Sequence, residues 1–570
     1  MIGGDPRAGR QAQPGGLGPY LVLGAAMGLL VLAVVLGQVA AAITGQHPSA
    51  NPFAWVVGVA TGTQGWSTAS TIVYLVIIFV ITGVVINVAA WIAKRRRQPA
   101  HRVDRLAKSM STREDMEPLD RDRLERDAAR LGVDPACGVG VPIGESVLTR
   151  RPLATSWEWT QLWVMGPRAG KTSCLCVPQI VSTGGPVVAT SNKRDIVDLT
   201  RGPRSSLGLV RVHDPQGLVG EEPGWWWSPL SYVTDIARAD EVVSLFAAAT
   251  RDATAKTDAY FDTAAQTLVA ALLLAAADGR GTLLDVHDWI RDPDDATPED
   301  LLLSAGHRSA ATDVRSAMSK TPKQRDGIYG SAENLLSWLR NPAVHPWITP
   351  GEGRAEFDPH AFVASTDTLY LLSREGPGSA RALTAALTVA VTRAAEELGV
   401  RQGGRLRRPL LVVLDEAANV CRWPQLPDLY SHYGSRGIVL TTYLQSWSQG
   451  VRVWGKEGMT QMWDAANLRG VGPGVADDAF GGVVSRLVGD HDVQTRSTSS
   501  SMRGGGSTST QLRREKILDV SDITAMPQGR AVVLASGTPS VMLRTVHWSE
   551  HPQAAMIAAS EEHYAGQGHR

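Results

Sequence analysis

Met165-Gly166-Pro167-Arg168-Ala169-Gly170-Lys171-Thr172-Ser173 is the stretch on which the reading of this chain turns. It follows Gln161-Leu162-Trp163-Val164, read as a short strand, and runs into an apolar stretch that reads as the start of a helix. Strand, glycine-bearing loop and helix in that order are the context of a phosphate-binding loop. Glycines let backbone N–H groups close on phosphate oxygens, and the following helix N-terminus adds its dipole. In this reading Gly166, Pro167, Arg168, Ala169, Gly170, Lys171, Thr172 and Ser173 form the nucleotide cradle. Lys171 reaches the β- and γ-phosphates, and Thr172 offers its hydroxyl to Mg2+. The usual spacing G-x-x-x-x-G-K-[ST] asks for glycine at 165, where this chain has Met165, so the first glycine is displaced by one residue. A surface turn carrying an exposed lysine is the competing reading.

Such a site needs a second acid at a buried strand end. Pro409-Leu410-Leu411-Val412-Val413-Leu414 is a compact apolar run ending in Asp415-Glu416, the pattern of a strand covered on both faces. Asp415 is expected to hold Mg2+ through water, and Glu416 to act as general base on the attacking water. A second apolar strand, Gly437 to Thr442, leads to Gln445. Gln445 is read as a γ-phosphate sensor, against the alternative of an amide capping a turn. Arg436, just before that strand, is read either as an arginine finger towards a neighbouring subunit or as a structural arginine.

Composition bounds the rest. The chain has 570 residues, 56 Lys+Arg and 56 Asp+Glu, so its formal net charge is zero. That excludes a histone-like, polybasic binder and leaves only local contacts for nucleic acid. The four cysteines form no C-x-x-C pair, which argues against a zinc ribbon, a thioredoxin motif or a disulfide scaffold. From Gln11 to Ala93 there is no Asp, Glu, Lys or Arg. Two apolar runs inside that stretch, about 19–43 and 71–93, are each long enough to cross a hydrocarbon core of ~30 Å. A short loop is expected between them. Arg7 and Arg10 precede the first run and Lys94-Arg95-Arg96-Arg97 follow the second. Positive charge on both outer flanks predicts a two-helix hairpin over 1–97 with both termini in the cytoplasm. A signal peptide followed by a core helix is the alternative.

Residues 98–140 read as a charged linker with a solvated helix near Asp120 to Asp127. Lys171 and Asp415 are 244 positions apart, more than a minimal phosphate-loop core requires, so an insertion is expected between them. Phe261, Ala264, Ala265, Leu268, Leu272 and Ala275 recur at helical spacing, and a further helix is predicted over 331–340, stopped by Asn341-Pro342. The Ser/Gly-rich stretch from Thr495 to Thr510 reads as a mobile loop, or as a pore loop touching phosphates. The tail over 551–570 carries little signal.

Taken in order, G-P-R-A-G-K-T, L-L-V-V-L-D-E, S-R-G-I-V-L-T-T-Y-L-Q-S-W-S-Q, V-V-S-R-L-V-G-D-H-D-V-Q-T-R-S and R-R-E-K-I-L-D-V-S-D-I-T-A-M-P-Q-G-R-A-V-V-L, behind two apolar runs, resemble the type IV coupling proteins of conjugation and type IV secretion, the TraG/TraD-like group. The resemblance spans most of 15–545. It implies an α/β fold: a RecA-like P-loop NTPase core over 141–235 and 351–550, an all-α insertion over 236–350 and an N-terminal two-helix transmembrane anchor. It implies ATP and Mg2+ as cofactors, and a homo-hexameric ring in the inner (cytoplasmic) membrane. The expected partners are DNA, single-stranded in the first instance, with a relaxase and the channel proteins of a type IV secretion system. Lys171 and Thr172 match the family's Walker-A pair, Asp415 and Glu416 its Walker-B pair, and Gln445 the glutamine after the next strand. His213-Asp214-Pro215 and Trp225 to Leu230 resemble a D-P…W-x-P-L segment. The family's Asp-x-Lys-x-Glu-like run is represented by Ser191-Asn192-Lys193-Arg194-Asp195, without its leading Asp, and the arginine that often precedes S-R is replaced by Gly434.

The function expected on this basis is an ATP-driven coupling protein that recruits DNA, or a relaxase–DNA complex, to a secretion channel. A double-stranded DNA pump of the FtsK kind is an alternative, disfavoured by the helical insertion and by the short stretch after about 550. A nucleotide-gated receptor for protein secretion is the other.

Overall fold

The computed structural model describes residues 31, 33–96, 101–250, 258–376, 379–501 and 505–565. The chain divides into two compact units, Met1–Ala100 and His101–Arg570.

In the first unit, the helix Ala33–Ile43 is the described part of the first expected span, whose residues before 31 lie outside the described residues. The connection expected as a loop contains the helix Pro52–Ala60. Its start is built locally: the Asn51 side chain accepts from the Phe53 and Ala54 N–H groups, and Pro52 takes the first helical position. A third helix runs over Thr68–Arg96, 29 residues, about 43 Å at the α-helical rise. Ile72, Leu75, Val76, Phe79, Val80 and Val84 on it are all exposed. Trp55, Trp66 and Tyr74 pack edge to face at 5.6 and 6.2 Å. Among the described residues one helix has the length and hydropathy of a membrane span by composition alone, Ala259–Asp278. Residues 268–276 of that helix are buried among other helices, so it is a core helix. Thr68–Val84 is the shorter apolar portion of the third helix.

The second unit is mixed α/β. Its strands are β1 (Val141–Ser146), β2 (Pro152–Thr155), β3 (Gln161–Val164), β4 (Val187–Ser191), β5 (Val210–His213), β6 (Trp225–Trp226), β7 (Ala355–Glu356), β8 (Thr368–Leu372), β9 (Leu410–Leu414), β10 (Ile438–Leu444), β11 (Leu468–Val471), β12 (Asp490–Ser501), β13 (Gly505–Lys516), β14 (Arg530–Ala535) and β15 (Val541–Arg544). Eleven of them form one sheet in the order β2-β1-β15-β14-β11-β3-β10-β9-β4-β8-β5. From β11 to β5 all neighbours are parallel. The remaining four add antiparallel. Every residue of β3, β4, β8, β9 and β10 is buried, as a parallel sheet covered on both faces requires. Parallel strands end on one edge. The loops after β3, β4, β9 and β10 therefore share that edge, and β10 lies between the strands that carry the phosphate loop and the acidic pair.

Helices fill the chain from Ile236 to Leu335: Ile236–Thr250, Ala259–Asp278, Leu283–Arg291, Thr297–Ala305, Arg308–Met318 and Pro322–Leu335. Asp258 caps the second of these, and Thr282 with Asp285 forms a capping box on the third. The helix expected over 331–340 is the end of Pro322–Leu335 followed by a tight 3-10 turn, Ser337–Arg340, before Asn341-Pro342.

The charge-rich segment after His101 folds onto the sheet. Val103, Ala107 and Met110 enter the main core, and Met116, Leu119, Val133 and Cys137 enter the core on the other face. Asp104 holds Arg530 at the start of β14 through two hydrogen bonds of 2.6 and 2.9 Å. The exposed pairs Arg121–Glu125 and Arg123–Asp127 occupy its solvent side. The stretch expected as a mobile loop near 495–510 is a two-stranded ribbon, β12 against β13, in register from Asp490↔Lys516 to Ser501↔Gly505. Backbone pairing needs no apolar side chains, and threonine favours extended chain, so a Ser/Thr repeat can pair as a ribbon. The tail forms the helix Ala554–Ala565, whose Ser560 hydroxyl bonds the Asp198 carbonyl at 2.6 Å.

Arg204 is fully buried and ties together the turns that precede β4 and β8. Its guanidinium donates to the carbonyls of Thr183, Gly185 (2.8 Å) and Thr366 (2.9 Å) and to the Thr368 hydroxyl (2.7 Å). Arg204→Met keeps much of the volume and strips these acceptors of their donor. It is expected to lower stability by about 3 kcal/mol or more, read as a fall in the urea midpoint of the full-length protein.

Candidate nucleotide-binding site

Lys171 begins the helical segment after the loop, which opens with a wide π-helical turn, Thr172–Cys176, and continues as Val177–Ser182. The Cys174 N–H closes on the Gly170 carbonyl at 2.8 Å. Pro167 and Arg168 are exposed, Ala169 is buried, and Gly170 and Arg168 have φ of 86° and 59°. The displaced glycine has a packing reason. A Cβ on Gly166 would lie 2.6 Å from the Gly474 carbonyl oxygen, and the Gly166 N–H bonds the Pro473 carbonyl at 2.8 Å. The turn Gly472-Pro473-Gly474 after β11 thus backs the phosphate loop. The sequence offers only its Gly-Pro-Gly punctuation as a signal.

Lys171 is 7% exposed. Its ammonium donates to the carbonyls of Met165 (3.1 Å) and Gly166 (3.3 Å). Burial pulls its pKa down, and the charges of Asp415 and Glu416 oppose that shift. The Thr172 hydroxyl donates to Asp415 Oδ2 at 3.2 Å. Burial, then the neighbouring Glu416 charge, push the Asp415 carboxyl up to about 7 against the pull of Lys171. Asp415 Oδ1 is buried and has no hydrogen-bond partner. A carboxylate oxygen left free beside a threonine hydroxyl is a donor set that fits a hard divalent cation such as Mg2+.

Glu416 has φ of 52°, a left-handed backbone that costs a residue with a side chain on the order of 1–3 kcal/mol. Its Oε1 accepts from Gln445 Nε2 at 2.7 Å and its Oε2 from Asn192 Nδ2 at 2.6 Å. Lys193 Nζ is 3.9 Å from Oε1. Gln445 therefore spends its amide on Glu416, and its own N–H bonds Gln449 Oε1 at 3.1 Å.

Lys171, Thr172, Asp415, Glu416 and Gln445 meet at one edge of the sheet. Arg436 does not join them. It precedes β10, at the opposite end of that strand, and pairs with Glu396 on the helix Arg381–Arg401. A side chain at 434, where the resemblance leads one to expect arginine, is excluded: a Cβ there would sit 2.1 Å from the Glu158 carbonyl oxygen. Asp214 is structural, accepting from the N–H groups of Leu218, Val219, Gly220 and Glu221. His213 is buried between Trp225 and Trp347, and burial lowers its pKa to about 3. Sequence reasoning passed over Asn192, Glu375, Asn419 and Gln449 as site residues. Asn192 is an amide directly after a strand, which is the one signal that could have marked it; Asn419 and Gln449 lie on helices five residues past their strands.

Asp415 has a folded pKa raised above its unfolded value, so its neutral form suits the fold. Its contribution to the stability of metal-free protein is expected to worsen as pH rises from the ordinary carboxyl range through about 7. Asp415→Asn removes that penalty. In EDTA at pH 8 it is expected to melt above the wild type, with the gap closing towards pH 5, in a pH series of thermal melts.

Residues 409–528 match the family model described as the TraM recognition site of TraD and TraG. Comparison with curated proteins gave no match. Among solved structures, the chain is similar to the bacterial conjugative coupling protein TrwBdeltaN70. The unbound monoclinic form gives a TM-score of 0.50 at 17% identity, covering 68% of this chain and 85% of that one. The trigonal form, in complex with sulphate, gives 0.50 at 16% identity, covering 71% and 94%. At such identities the likeness shows a shared fold. Over 409–528 the chain is similar to TraD and TraG, and its fold is similar to that of a conjugative coupling protein.

Proposed function

We propose that this chain is a membrane-anchored, ATP-hydrolysing coupling protein that delivers DNA, or a relaxase–DNA complex, to a type IV secretion channel. One observation carries the reading. A buried lysine, a threonine hydroxyl, two adjacent carboxylates and a glutamine converge at the ends of β3, β9 and β10. ATP and Mg2+ would supply the transferable phosphoryl group and neutralise its charge. Lys171 would turn from its own loop carbonyls to phosphate oxygens, and the N–H groups of 168–173 would face the same anion. Thr172 and Asp415 would hold the cation. Glu416 would take the proton of the attacking water as it joins phosphorus, with Gln445 fixing the carboxylate.

The core over 141–235 and 351–550 would be the RecA-like motor, the helices of 236–350 the substrate-engaging insertion, and the apolar helices within 1–97 the anchor in the inner membrane. The outward apolar side chains of Thr68–Val84 support that anchor, and the basic residues that follow it fit a cytoplasmic end. A homo-hexameric ring would bring Arg436 of one subunit towards a neighbour's nucleotide. The match of 409–528 to the TraD/TraG model favours conjugative delivery over a chromosome pump.

Full-length protein in nanodiscs is expected to hydrolyse ATP and to be stimulated by DNA, single-stranded more than double-stranded. Lys171→Ala is expected to lose hydrolysis by at least about 10²-fold. Arg436→Ala is expected to lose a similar factor while still binding nucleotide, measured beside an unchanged melting temperature. Absence of hydrolysis with nucleotide binding retained would turn the reading to a nucleotide-gated receptor.

A further inference from the structure

Both oxygens of Glu416 are engaged by amide donors, and one of those donors belongs to a longer chain of contacts. Asn192, the first residue after β4, gives its Nδ2 to Glu416 Oε2 at 2.6 Å and to Glu375 Oε1 at 3.1 Å. Glu375, in the segment between β8 and the helix Arg381–Arg401, also accepts from Asn419 Nδ2 at 2.5 Å. Asn419 Oδ1 accepts from Gln449 Nε2 at 2.8 Å, and the Gln445 N–H closes on Gln449 Oε1. Gln445 Nε2 returns to Glu416 Oε1. The contacts form a closed ring of six residues that follow the ends of four neighbouring strands, β10, β9, β4 and β8, with the candidate general base as a member. The Oδ1 of Asn192 is buried with no partner, so this residue is held in the ring by its donor side alone.

A carboxylate oxygen that accepts a hydrogen bond from a fixed amide is held in place by it. It also has fewer lone pairs to turn towards a water. Resting on the proposed role of Glu416, we infer that Asn192 is a positioning residue that restrains Glu416 from activating water, and that Glu375 fixes Asn192 in that posture. Hydrolysis then requires the Asn192–Glu416 bond to break, and any event that moves the Glu375 segment or the Asn419–Gln449 pair can release it. An amide needed only to align a base slows turnover when removed. An amide that restrains one speeds it.

The test measures ATP hydrolysis by the full-length protein in nanodiscs with Mg2+ and without DNA, for Asn192→Ala, Glu375→Ala, the double variant and Glu416→Gln. Melting temperatures serve as controls for folding. Asn192→Ala is expected to raise unstimulated kcat on the order of tenfold, the equivalent of one hydrogen bond to a charged group, with KM for ATP unchanged. Its stimulation by DNA is expected to shrink by the same factor. Glu375→Ala is expected to give a smaller rise, and the double variant no more than Asn192→Ala alone, because both act through one bond. A kcat for Asn192→Ala equal to or below wild type, with Glu416→Gln inactive, overturns the restraint and leaves the proposed function standing. Undiminished hydrolysis by Glu416→Gln removes the assigned base and the restraint together. A rise in the double variant equal to the product of the two single rises overturns the role of Glu375.

Discussion

Two neighbouring carboxylates, each only 4% exposed, sit at the end of a strand made wholly of leucine and valine. Charges so placed are costly unless each is paired or hydrogen-bonded. The surrounding structure can be understood as the means of satisfying Asp415 and Glu416. Asp415 has Thr172 and the nearby Lys171; Glu416 has Gln445 and Asn192. The partners come from three other strand ends, those of β3, β10 and β4, and a parallel sheet delivers these and the end of β9 to one edge. The pairing is incomplete by one oxygen on Asp415. That deficit marks the place as a candidate cation site.

Sheet order adds a second constraint. Because β10 separates β3 from β9, the phosphate loop and the acidic pair cannot move relative to each other without disturbing Gln445. The other end of β10 is packed just as tightly. Gly434 abuts the Glu158 carbonyl, and Arg436 is tied to Glu396, which also accepts from Arg393 and Tyr433. One strand therefore links the edge of the sheet that holds the candidate site to a charged cluster at its far edge.

Much of this was legible in the sequence, for a physical reason. The phosphate loop and the acidic strand are contiguous runs whose chemistry is fixed by residues within ten positions of one another. The strands β3, β9 and β10 announced themselves because burial on both faces leaves no polar alternation to confuse them. What stayed hidden is long-range. Nothing near Asn192 reveals that it and Asn419 converge on Glu375, and the turn at Gly474 is brought to Gly166 through the pairing of β11 with β3. The charge-rich stretch after His101 read as a linker because its few apolar residues, Val103, Ala107 and Met110, are a thin stripe among charges. The Ser/Thr run near 495–510 read as a loop because backbone pairing leaves no hydrophobic signature.

The outer part of the large sheet is assembled from the two ends of the second unit. Glu145 in β1 lies opposite Arg544 in β15, where the two side chains also meet at 3.0 Å. Asp104 meets Arg530 across a still longer stretch of chain. During synthesis the early strands must wait while nearly four hundred residues are made before their neighbours emerge. At ribosomal speeds of about 5–20 residues per second, that wait is on the order of 20–80 s. Through that interval Val141, Ile143 and Leu153 lack the strand that will cover them, and any apolar segment ahead of them has already left the ribosome. Long-range closure of this kind is slow and exposed to aggregation. The nascent chain is thus most vulnerable in the window between the translation of its first strands and its last, and a shielding chaperone would matter most there.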